Sequence, residues 1–143
     1  MTQRLRDIMT QNVATVQPHQ SIAEAAKIME DYNVGAVPVV ENGQCVGMIT
    51  DRDITVRAVA GHMDHNTRVN SIMTKNILTA SANTTVHEAA DMMARHQIRR
   101  LPVVDNNQVA GIVALGDLAV ENIYENEAGE ALANISEQSP GQG

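Results

Sequence analysis

The chain repeats itself once, and this constrains its fold more than any other feature. Displaced by 64 positions, residues 7–54 fall on residues 71–118 without a gap. Ile8-Met9-Thr10 meets Ile72-Met73-Thr74, Glu24-Ala25-Ala26 meets Glu88-Ala89-Ala90, and Pro38-Val39-Val40 meets Pro102-Val103-Val104. Gly47 meets Gly111, and Asp53 meets Asp117. Two copies are too few for a solenoid, which needs about three or more to share a continuous core. The pair is expected to close on itself as one pseudo-two-fold module, with a ligand cleft at the seam.

Each copy reads as β-α-β-β-α, an α/β (α+β) class. The apolar run Val13–Val16 ends before Pro18 and predicts a strand. Ser21-Ile22-Ala23-Glu24 is a capping box, in which the hydroxyl takes an orphan N–H and the carboxylate reaches back. Thr85-Val86-His87-Glu88 repeats it. Ile22, Ala25, Ala26 and Met29 then recur at helical spacing, as do Val86, Ala89, Ala90 and Met93. A strand over Ala36–Val40 follows. Asn42-Gly43 signals a tight hairpin, and Cys45–Ile49 is its second strand. A helix begins near Asp51 and is expected to stop at Gly61 as its C′ residue. The copies are placed at 7–60 and 71–124, joined by a linker at 61–70. An acidic tail at 125–143 is expected to be partly disordered, with one helical turn near Ala131–Ile135.

Composition narrows the chemistry. Tyr32 and Tyr124 are the only aromatic residues, so a flat ligand would be held by aliphatic side chains and backbone. Of the net charge of −7, five acids lie in the last 25 residues; residues 1–118, with ten bases against twelve acids, are close to neutral. That balance lacks the basic stripe of a nucleic-acid binder. Cys45 is alone, so no intrachain disulfide forms. The first residues lack the apolar run of a signal peptide, and no stretch approaches the ~20 apolar residues of a membrane span. A cytoplasmic protein without membrane contact is expected.

Gly47-Met48-Ile49-Thr50-Asp51-Arg52-Asp53 is the best candidate site. A helix N-terminus offers free N–H groups to a phosphate. The Thr50 hydroxyl adds a donor, and the Asp53 carboxylate can clamp the cis-hydroxyls of a ribose. The same Thr50-x-x-Asp53 spacing also fits a plain capping box. Both readings stay open on these residues alone.

These segments, with Gly35-Ala36-Val37-Pro38, Arg100-Leu101-Pro102-Val103-Val104 and Gly111–Asp117, resemble the cystathionine-β-synthase (CBS) domain family. The resemblance spans 7–122 and is to the stand-alone bacterial tandem type, similar to hypoxic response proteins. It implies a non-catalytic sensor binding an adenosine compound (AMP, ADP, ATP, NAD or S-adenosylmethionine) between the repeats. It assigns the ribose to Asp53, phosphate or ribose to Thr50, the adenine edge to backbone at Ala36, Val37 and Pro38, and a further contact to Thr15. In copy two it points to Arg100, Leu101, Pro102 and Asp117. There Ala114 replaces the hydroxyl residue and Arg99-Arg100 replaces Gly35-Ala36. Arg99 or Arg100 could reach a phosphate through a planar fork, pair with Asp105, or lie solvated at a strand end.

The resemblance further implies a homodimer formed face to face through the second helices, with Ile54 and Ala58 of Asp51–Ala60 among the contacts. It also allows an unidentified protein partner. The main alternative is an interaction or structural dimer whose clefts are vestigial. An enzyme is disfavoured, since no nucleophile-base pair or phosphate-cradling glycine loop is present. His62-Met63-Asp64-His65 falls short of the three or four ligands of a zinc site, and no catalytic cofactor or metal is expected. Met9 and Met73, opening each repeat, are expected to be structural.

Overall fold

The structure is a computed structural model that describes residues 3–120. Tyr124 and the 125–143 tail, with the helical turn expected near Ala131–Ile135, lie outside those residues. The elements run α1 (Leu5–Ile8), α2 (Ile22–Tyr32), β1 (Ala36–Glu41), β2 (Gln44–Thr50) and α3 (Asp51–Asp53). A π-helical segment, Ile54–Val59, continues α3. A 3₁₀ turn at Val69–Ser71 follows, then β3 (Ala80–Ser81), α4 (Val86–His96), β4 (Arg100–Asp105), β5 (Gln108–Ala114) and α5 (Leu115–Val120).

Local chemistry explains most boundaries. Both capping boxes form: Ser21 accepts the Glu24 N–H and Thr85 accepts the Glu88 N–H, each at 3.1 Å. The reaching carboxylates, Glu24 and Glu88, are held below their ordinary pKa by side-chain hydrogen bonds, chiefly from Gln20 and Thr85 respectively. α2 and α4 end on left-handed residues, Asn33 (φ 55°) and Gln97 (φ 55°). Between β1 and β2, Asn42 and Gly43 both have positive φ, the signature of a type I′ turn. Asn106 and Asn107 adopt the same signs between β4 and β5.

The chain divides into two compact units that do not follow the sequence repeats. One holds Val13–Ile77 with Asn106–Val109 and carries Asp53; the other holds, of the described residues, 3–12, Leu78–Asp105 and 110–120 and carries Asp117. Each unit thus contains the leading segment that the repeat alignment gives to the other copy.

In the Asp53 unit that segment is Val69–Thr74. Ile72 and Val69 are fully buried beside Val16, Ala25, Val37, Val39 and Ile49. Met48 and Thr74 exchange two backbone hydrogen bonds, of 3.0 and 2.8 Å. Gly47 permits this approach, because a Cβ there would stand 2.7 Å from the Thr74 carbonyl oxygen. Met73 lies against the same glycine. In the Asp117 unit the segment is Leu5–Thr10. Leu5 is fully buried among Val86, Met93, Leu101 and Leu118. Thr10 and Ile112 exchange hydrogen bonds of 3.0 and 3.1 Å, and a Cβ on Gly111 would meet the Thr10 carbonyl oxygen at 2.7 Å. Burying one such side chain contributes about 1.5–3 kcal/mol, so each segment is anchored by its own apolar residue.

Four expectations are corrected. The strand over Val13–Val16 is one parallel bridge, Val16 to Val39. It stops there because the Gln17 N–H turns to its own Gln20 side chain and Pro18 has no N–H. Ala26 is exposed, leaving Ile22, Ala25 and Met29 as the buried face of α2. The second helix ends at Val59 with Ala60 as its cap, so it stops at Gly61 as expected, but the left-handed residue is His62 (φ 59°) and not the glycine. The His62 and Met63 N–H groups close on the Val59 and Ala58 carbonyls, which sets the left-handed position one residue later. Finally, Ala58 is fully buried and presents no outer contact surface, while Ile54 is half-buried against the same core.

Gly47→Ala is expected to destabilise the protein by about 1–3 kcal/mol, because the opposing atom is backbone and cannot swing away. Gly116→Ala meets nothing within 4 Å among the described residues inside α5 and should be neutral or stabilise by about 0.4–1 kcal/mol. Urea unfolding followed by circular dichroism separates the two.

Candidate functional site

The junction of β2 and α3 positions the candidate carboxylate. Thr50 is the N-cap, with extended backbone, and its Oγ1 accepts the Asp53 N–H at 3.0 Å. Asp53 Oδ2 accepts the Thr50 N–H at 3.0 Å. The capping box is therefore real, but it uses only one of the roughly four lone-pair positions of a carboxylate.

Two further groups turn toward Asp53. The Thr74 hydroxyl donates, 3.3 Å from Oδ1 and 3.4 Å from Oδ2. Arg57 Nε lies 3.7 Å from Oδ1, an ion pair rather than a short hydrogen bond. Arg57 Nη1 also donates to the Ile72 and Met73 carbonyls, at 3.1 and 3.3 Å. Asp53 is 7% exposed and is the buried charged residue among those described. A charge at that depth is sustained only by such partners.

The other proposed contacts gather unevenly around it. Ala36 stands opposite Thr50 in the β1–β2 register, and the Gly35 carbonyl accepts the Asp51 N–H at 3.0 Å. Ala36, Thr50 and Asp53 thus meet at the open end of the hairpin. Val37 is turned into the core, which leaves only its backbone for a ligand. The Pro38 carbonyl already accepts the Val16 N–H at 3.1 Å. Thr15 is exposed, one residue before that bridge.

The Asp117 unit repeats the frame with fewer contacts. Asp117 Oδ2 accepts the Ala114 N–H at 3.0 Å, the donor it receives among the described residues. Ala114 has no hydroxyl to return, so this box is half made. The Leu115 N–H reaches the Arg99 carbonyl at 2.8 Å, as Asp51 reaches Gly35. Arg100 is exposed, Arg99 is half-buried, and Leu101 and Pro102 are buried.

Sequence reasoning missed Arg57 and Thr74. Arg57 was within reach, since Asp53 and Arg57 are an i,i+4 pair of opposite charge. Thr74 gave no signal, because its approach depends on the exchanged segment. Cys45 is half-buried; burial raises its thiol pKa, and Sγ lies 3.8 Å from the Gly47 carbonyl oxygen. Among the described residues no group of three or more His, Cys, Asp or Glu could hold a metal ion, and no helix is long and apolar enough to cross a membrane.

The CBS domain model matches residues 5–60 and 69–121. The chain belongs to the CBS domain family. It is 50% identical over 135 residues to the CBS domain-containing protein YhcV of Bacillus subtilis, covering 94% of this chain and 96% of that protein. It is 34% identical over 116 residues to hypoxic response protein 1 of Mycobacterium tuberculosis, covering 80% and 81%. Among solved structures it resembles the CBS domain pair of protein MJ0100 in complex with 5-methylthioadenosine and S-adenosyl-L-methionine. That match has a TM-score of 0.75 and 32% identity over 89% of this chain and 99% of that one. The glycine at the start of the CBS motif here, Gly47 or Gly111, is thus explained by a backbone contact within its own unit.

Thr50→Ala should cost about 0.5–2 kcal/mol, the usual cost of losing a cap hydroxyl, and Ala114→Thr should return a similar amount by completing the second box. Chemical denaturation of both variants and the wild type checks the pair.

Proposed function

We propose that this CBS pair is a non-catalytic, cytoplasmic regulatory module that binds an adenosine-containing ligand at the junction carrying Asp53. The observation that carries this reading is the buried Asp53 carboxylate, oriented by three groups yet with acceptor capacity left on Oδ1. A ribose diol fits it, since two adjacent hydroxyls can both donate to one carboxylate. Thr50 and Arg57 supply polar neighbours, and the backbone at Ala36 and Val37 supplies hydrogen-bonding groups for the edge of a flat base. The adenosyl ligands of the MJ0100 pair support the same class. Asp117, without the cap hydroxyl, is the weaker site; Arg99 and Arg100 are its candidate phosphate contacts.

The test is a thermal-unfolding screen, read by circular dichroism, against AMP, ADP, ATP, NAD and S-adenosylmethionine. A ligand at 100 times its Kd adds about 2.7 kcal/mol to the folded state. The wild type should then melt several degrees higher with its preferred compound. Asp53→Asn, which keeps an acceptor for the Thr50 N–H, should still unfold cooperatively but lose the shift. A wild type indifferent to all five compounds would favour a structural dimer with vestigial sites.

Assembly as a homodimer rests on a separate observation. Val56, Val59 and Met63 are 50%, 65% and 45% exposed on and just beyond the second helix. Large apolar side chains grouped in this way mark an interaction surface. Val56→Glu/Val59→Glu should convert a dimer to a monomer in sedimentation velocity without altering the far-ultraviolet spectrum. A wild type that is monomeric at high concentration would remove this part of the reading.

A further inference from the structure

Asp53 is bound to three residues of the segment Val69–Thr74, one directly and two through an arginine. Thr74 Oγ1 donates to its carboxylate. Arg57 pairs with Oδ1 while donating to the Ile72 and Met73 carbonyls. The side chain that would receive the ligand therefore also holds down Ile72-Met73-Thr74. The same segment is hydrogen-bonded to β2 at Met48, next to Gly47, and its far end continues along the chain into Leu78 of the other unit.

We infer that Thr74 and Arg57 are positioning residues for the Asp53 carboxylate, and that they make ligand occupancy and the seating of Val69–Thr74 one coupled equilibrium. This rests on the reading of Asp53 as the ligand carboxylate. The physical argument is one of orientation. A carboxylate on a three-residue α-turn can rotate about its Cβ–Cγ bond. The cap N–H holds Oδ2, the Thr74 hydroxyl lies between the two oxygens, and Arg57 pairs with Oδ1. A hydroxyl pair then meets preset acceptors and bears less ordering cost. Coupling is reciprocal: if seating the segment favours the ligand, the ligand favours the seated segment by the same factor. The Asp117 unit supplies an internal contrast. There the aligned threonine, Thr10, bridges Ile112, while Asp117 receives Ala114 N–H among the described residues, so its carboxylate is less constrained.

The experiment uses the full chain with AMP and S-adenosylmethionine as probes. Binding is measured by calorimetry for the wild type, Thr74→Val and Thr74→Ser, and exchange of the Met73 and Thr74 amides is followed by NMR with and without probe. Thr74→Val keeps the shape and removes the hydroxyl; it should weaken binding roughly tenfold, the usual effect of losing one hydrogen bond to a charged group. Thr74→Ser should restore it. In the wild type the bound probe should slow Met73 and Thr74 exchange several-fold beyond the slowing of the other protected amides, and Thr74→Val should abolish that excess. If the wild type binds a probe while Thr74→Val binds it equally well, or if the serine variant is as weak as the valine, the positioning role is overturned and the site reading stands. The coupling is overturned if exchange at Met73 and Thr74 ignores the probe. If the wild type binds neither probe, ADP, ATP and NAD are used as probes in the same way, and binding of none of the five brings down the site reading and this inference with it.

Discussion

The molecule depends on the close contact between a glycine in each hairpin and the backbone of a leading segment. At Gly47 and at Gly111 there is no room for a side chain, because a carbonyl oxygen occupies the place where Cβ would be. That vacancy lets Thr74 and Thr10 each form a reciprocal pair of hydrogen bonds with the neighbouring strand residue. Each bridge in turn carries an apolar anchor into a core, Ile72 in one unit and Leu5 in the other. Loss of the contact would expose backbone groups and an aliphatic side chain together, both unfavourable in water.

The candidate site inherits its geometry from this contact. Thr74 can reach Asp53 only because its segment lies against Met48, two residues upstream of Thr50 in β2. Arg57 is placed by the helix that Asp53 itself opens, and its guanidinium spans the carboxylate and two carbonyls of the same segment. The buried charge and the docked segment thus stabilise each other. In the Asp117 unit the glycine contact is kept, but Ala114 leaves the cap incomplete. The two junctions share a backbone and differ in how firmly their aspartates are held, and on the proposed function this predicts unequal ligand affinity.

Much of this was legible in the sequence. The repeat, both capping boxes, the Asn42-Gly43 turn and the helix at Asp51 depend on neighbours within a few residues, and such signals survive without tertiary context. Thr50 and Asp53 were readable for the same reason. The Val13–Val16 strand was not, because its length is limited by where Gln17 directs its N–H. The exchange of leading segments was illegible, since Ile8-Met9-Thr10 and Ile72-Met73-Thr74 are alike and local sequence does not say which hairpin either one joins. Thr74 was hidden with them. Ile54 and Ala58, four residues apart, share one face of the second helix while Val56 and Val59 lie exposed, and which face turns inward is decided by tertiary packing that local sequence does not carry.

The central claim is that the Asp53 carboxylate, held by Thr50, Thr74 and Arg57, receives the ligand. The most direct measurement is an NMR titration of the full chain with AMP and S-adenosylmethionine, following every assigned backbone amide. The largest saturable shifts are expected at Ala36, Thr50 to Asp53 and Ile72 to Thr74, with smaller changes around Ala114 to Asp117. Saturable shifts confined to other parts of the chain, with those amides unmoved, would contradict it.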